Sequence, residues 1–137
     1  MDTILNEIKI ILALLGGVLG WLLGGFDALA YALIVFVVID YLTGILLAIY
    51  EKKVSSDIGF KGIFKKVLIF VLIAVGNITD QYVIGSGSSL RTMLIMFYLS
   101  NEGISIFENV AKMGVPLPEK MKVVFQQLGE TDKNKKL

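Results

Sequence analysis

The chain has 137 residues, of which 55% are hydrophobic and 18% charged, and its mean hydropathy is +0.77; soluble domains carry roughly 25% charged residues, so a water-soluble particle would lack polar surface to cover it. Thirteen basic and twelve acidic residues leave a net charge of +1, and the absence of Cys and His removes disulfides, thiolate chemistry and the commonest general base and metal ligand. Composition therefore argues against an enzyme and implies no cofactor and no nucleic-acid partner; the expected class is an all-α integral membrane protein.

The first residues, Met1 to Lys9, do not read as a signal peptide, because Asp2 and Glu7 stand where a basic leader is expected. The first apolar segment covers residues 8–25. Within it Gly16, Gly20 and Gly24 repeat every fourth residue, a small-residue stripe that lets helices approach closely in lipid, within one chain or between copies. The short Gly24-Gly25-Phe26-Asp27 connection predicts a hairpin with the second segment, residues 28–50, which is apolar except for Asp40 and carries Gly44 one turn on as a further packing position. A spanning helix needs about 20 apolar residues, and the second segment meets this with ease.

Residues 56–66 place Phe60, Ile63 and Phe64 among Lys61, Lys65 and Lys66, with Ser56 as a candidate cap. That spacing predicts a short interfacial helix whose lysines reach toward headgroups. The third apolar segment is 67–84, with Asn77 and Asp80 toward its far end. A Gly/Ser turn, residues 85–89, leads into the fourth, 90–110. This last segment is interrupted by Ser100, Asn101 and Glu102, so it either crosses with a polar stripe or lies along the interface; crossings number about four, or three in the second case. Pro116 and Pro118 end it, and Met121, Val124, Phe125 and Leu128 predict a second interfacial helix over 118–128. Residues 1–128 thus form one membrane domain, and 129–137 a disordered polar tail.

With four crossings, twelve of the thirteen basic residues share one side and only Arg91 lies opposite. The lysine-rich side is then cytoplasmic, with both termini on it. Polar residues at membrane depth are costly unless paired or hydrated. Asp40, Asn77, Asp80, Asn101, Glu102, Ser105 and Asn109 are accordingly candidate pore-lining or intramembrane polar residues. For Asp40 and Glu102 two readings stand: protonated carboxyls bonding a neighbouring helix, or groups facing water in an assembled pore. Asp80 and Arg91 are expected to pair across the Gly/Ser turn. A protease using Asp40 and Asp80 lacks the Gly-x-Gly-Asp pattern such a site needs.

The ordered set Asp40-Tyr41-Leu42-Thr43-Gly44, Ser55-Ser56, Gly59-Phe60-Lys61-Gly62-Ile63, Asn101-Glu102-Gly103-Ile104-Ser105-Ile106, Glu108-Asn109 and Gly114-Val115-Pro116-Leu117-Pro118 resembles the phage holin family that also contains clostridial toxin-secretion holins. The resemblance spans roughly residues 39–128. It implies a bacterial inner-membrane protein that forms homo-oligomers in the bilayer and opens lesions for an endolysin or a toxin. Members are often drawn with three crossings, whereas this sequence reads as four. The alternative from the residues alone is a small four-helix transporter or ion channel.

Overall fold

A computed structural model describes residues 1–124 and Gln127. Among them the secondary structure is helical throughout: α1 (Asp2–Leu23), α2 (Ala28–Tyr50), α3 (Ser56–Ile78), which runs into a π-helical turn (Thr79–Ile84), and α4 (Ser89–Lys112). Residues 119–124 form a further short helical stretch. Phe125, Leu128 and the tail 129–137 lie outside the described residues.

Each boundary has a local cause. At the end of α1, Gly24 adopts the left-handed conformation (φ 82°) and the Gly25 N–H donates to the Gly20 carbonyl, a closing pattern that satisfies otherwise orphaned carbonyls. Asp27 starts α2 by accepting the Ala30 N–H at 2.9 Å, and Ser55, rather than the expected Ser56, starts α3 by accepting from Ile58. The chain leaves the π-helical turn at Gly85, again with positive φ. Ser88 provides no side-chain cap for α4; Asp80 takes that role, accepting the Leu90 and Arg91 N–H groups at 3.1 and 2.9 Å.

Three expectations are corrected here. The interfacial helix 56–66 and the apolar segment beginning at 67 form one continuous helix, since no Gly-Pro or polar break separates Lys66 from Val67. The first segment starts at Asp2, well before Ile8, and its helix stops at Leu23. Moreover, α1 leans on α3 rather than pairing with α2 as a hairpin.

The centre of the bundle is α4, packed most extensively on α2 and then on α3. Leu33 and Val37 of α2, Ile69 and Ile73 of α3, and Ile95 and Leu99 of α4 form the core, with Leu23 at its edge. Gly76 of α3 faces α4, where a Cβ would lie 2.6 Å from the end of the Leu94 side chain.

The outside of the molecule is far more apolar than that of a water-soluble bundle. Asp40, Asn77, Asp80, Arg91, Ser100 and Glu102 are buried, while Ile10, Ile11, Leu14, Leu42, Leu68 and Val71 are among the many large apolar side chains exposed. Isolated exposed apolar residues are ordinary, but an apolar surface this continuous needs an apolar neighbour. By length and composition, α1 and α2 are sufficiently apolar to cross a membrane; α3 and α4, each with four charged residues, are less apolar.

Candidate functional site

Ten residues separate Asp40 from the C-terminal end of α2, Lys66 from the start of α3, and Glu102 from the C-terminal end of α4. At 1.5 Å per residue this sets all three about 15 Å from the same end of the bundle. The level is shared because α3 runs antiparallel to its two neighbours, and there the side chains meet. The Lys66 ammonium donates to Asp40 Oδ2 at 2.6 Å and to Glu102 Oε2 at 2.8 Å. Only 17% of the Lys66 side chain is exposed, against 9% for Asp40 and 8% for Glu102, so water screens the cluster little.

The surrounding polar groups complete it. Asn109 Nδ2 donates to Asp40 Oδ1 at 3.1 Å and to the Thr43 hydroxyl at 3.0 Å, and the Thr43 hydroxyl in turn donates to the Asp40 carbonyl. Ser105 lies beside the same carboxylate. Gly44 lies beside Asn109, with its Cβ position 3.8 Å from Nδ2. Tyr41 lies over Gly59 and Gly62 of α3.

A second polar group sits at the opposite end of the bundle. Arg91 reaches away from its own turn to clamp the α1–α2 connection, donating from its guanidinium to both Asp27 oxygens at 2.8 and 3.0 Å and to the Leu23 and Gly25 carbonyls. Asn77 donates to the Trp21 and Leu22 carbonyls and accepts from Gln81. The Arg91 guanidinium holds the Asp27 carboxyl below its ordinary value of 3.8.

The sequence candidates are therefore redistributed. Asp40, Glu102, Ser105 and Asn109 come together, with Gly44 beside them, whereas Asn101 is exposed on the neighbouring face. The expected Asp80–Arg91 ion pair is replaced by two contacts: Asp80 caps the α4 backbone, and the Arg91 side chain pairs with Asp27 because the guanidinium extends toward the α1–α2 turn. Gly24 both closes α1 and lies against Asn77 of α3 and Arg91 of α4, Gly20 faces the Phe26 ring, and Gly16 has no atom near its missing Cβ. Sequence reasoning missed Lys66 and Asp27. Lys66 was hidden among adjacent lysines, although two acidic residues within apolar segments are themselves a signal that a buried cation is needed.

Residues 17–130 match the model of the bacteriophage holin family. An uncharacterised 14.9 kDa protein of Clostridium perfringens is 41% identical over 128 residues, covering 93% of this chain and 97% of that protein. A Listeria monocytogenes protein is 42% identical over 107 residues, covering 78% and 76% respectively. A protein of Bacillus phage phi105 named probable holin is 34% identical over 86 residues, 63% of each chain. No solved structure matches.

Proposed function

This chain belongs to the bacteriophage holin family, and on that premise we propose that it assembles in a bacterial inner membrane and opens lesions through which a cell-wall-degrading endolysin, or a toxin, leaves the cytoplasm. The observation that carries this reading is the distribution of polarity: Asp40, Asp80, Arg91 and Glu102 are buried, while large apolar side chains cover much of the outside. Such a molecule is stable where its surroundings are hydrocarbon.

Four crossings suit this arrangement. Helices of 22 to 24 residues are about 33 to 36 Å long, enough for a hydrocarbon core of about 30 Å. The triad, about 15 Å from the lysine-rich end, then falls near the midplane, and the lysine bias puts both termini in the cytoplasm. For self-association α1 offers a free face, since nothing approaches Gly16 or Gly17 within the protomer. Asn101 is the midplane polar residue available to line an assembled pore, while Glu102 would first have to leave Lys66.

Inducing the chain in bacteria together with a cytoplasmic muralytic enzyme tests the proposal. Growth should stop abruptly and lysis follow; continued growth with an intact membrane potential at high membrane expression contradicts it. The buried triad is also compatible with a channel or transporter using ion coupling, which would pass ions but retain the enzyme.

A further inference from the structure

A cavity of about 270 Å³ runs between α2 and α3 to the triad. Ala48, Val54 and Ser55 form its end nearest the α2–α3 loop, and Asp40, Lys66, Ser105 and Asn109 line the deep end. Liquid water occupies about 30 Å³ per molecule, and a buried water needs two to four polar partners, so the deep end suits water on both counts. On the other side of Lys66, a second cavity of about 340 Å³ meets Glu102, Lys65, Tyr98 and Asn101. The triad is the partition between the two.

Its charges do not balance. Two carboxyls face one ammonium, leaving one negative charge in excess when all three groups are ionised. The other titratable side chains on these walls are Tyr41 in the first cavity and Lys65 and Tyr98 in the second. Asp40 accepts from Lys66 and Asn109, whereas Lys66 is the hydrogen-bond donor shown for Glu102. The carboxylate supported by more donors keeps its charge better, and the other is the natural seat of a proton.

We infer that the triad is a one-proton site: a hydronium ion entering by the water-holding cavity from the α2–α3 loop side gives its proton to the carboxyl pair, where it resides on Glu102 as a carboxylic acid and leaves a water molecule behind. The net charge at this depth then becomes zero, with Asp40 and Lys66 as the remaining ion pair. This inference rests on the membrane-spanning reading above.

The full chain reconstituted in phospholipid vesicles, followed by infrared absorption of the carboxylic-acid carbonyl, provides the test. At neutral pH, where exposed carboxyls are ionised, the wild type should show one acid band that is lost on raising the pH. Both Glu102→Gln and Asp40→Asn should lack it, the second because removing the excess charge lets Glu102 ionise against Lys66. Ala48→Phe, which narrows the outer part of the cavity, should keep the band but slow its exchange in heavy water at least tenfold. Absence of the band in the wild type, its persistence in Asp40→Asn, or unchanged exchange in Ala48→Phe overturns the inference. Retention of the chain in vesicles after an alkaline carbonate wash reports insertion separately. A chain that inserts without the band sinks the inference alone; one that does not insert sinks the functional reading.

Discussion

Removing the Lys66 ammonium would leave Asp40 and Glu102 facing each other at one level with no countercharge. Breaking a buried pair in this way costs about 3–5 kcal/mol, whereas replacing the whole set with neutral groups costs far less. Lys66→Met should therefore lower the thermal unfolding temperature sharply in detergent, and Asp40→Asn with Glu102→Gln should restore much of the loss. If Lys66→Met unfolds like the wild type, the triad does not hold the bundle. At the other end, Asp27 has a lowered pKa in the folded chain, so its stabilising contact with Arg91 is complete above its ordinary value of 3.8 and fades as pH falls through the lower folded value. Asp27→Asn keeps the helix cap and removes the charge. The stability gap between it and the wild type should be constant through neutral pH and close below about pH 4; a gap that changes between about pH 6 and 8 contradicts this assignment. Asp40 and Glu102 were legible as anomalies because charge is rare in apolar runs, but their partner was not. Lys65 and Lys66 are adjacent in sequence and about 100° apart on the helix, and only the packing of α3 decides that Lys66 turns inward.

At the scale of elements, the glycines divide into those the protomer needs and those it leaves open. At Gly24 a side chain would have to adopt φ 82° and would meet Asn77 Oδ1 at 2.5 Å and Arg91 Nε at 2.7 Å. At Gly76 an added methyl would press on the end of Leu94, which can swing aside; a leucine would overpack the α3–α4 contact by about 1–3 kcal/mol. Gly17→Leu enters open space and should leave protomer stability within about 0.5 kcal/mol. Native gels should nevertheless show the oligomer weakened in Gly17→Leu, while Gly76→Leu destabilises the protomer itself. An unchanged oligomer in Gly17→Leu would remove α1 as the association face. The apolar stretches and the Gly/Ser turn were readable because each is a run of like residues. The continuity of α3 was harder to read, because an amphipathic first half and an apolar second half look like two elements when periodicity is judged segment by segment. The Arg91 clamp joins residues 64 positions apart and leaves no local pattern.

As a whole the molecule presents a largely apolar outer surface, and composition alone foretold this, since too few polar residues exist to cover it. Its well-buried ion pairs form two clusters, Asp40–Lys66–Glu102 within the bundle and Arg91–Asp27 toward the opposite end. The triad ties α2, α3 and α4 together, and α1 keeps a face with no atom near Gly16 or Gly17. These features suit a protein that accumulates quietly as a packed bundle and opens only on assembly. The most direct measurement is release from vesicles reconstituted with the purified chain and loaded with both a small ion-sensitive dye and a folded protein of endolysin size. Both should escape together above a threshold protein density; loss of ions with full retention of the protein at every density would contradict a lesion-forming holin and favour a selective channel.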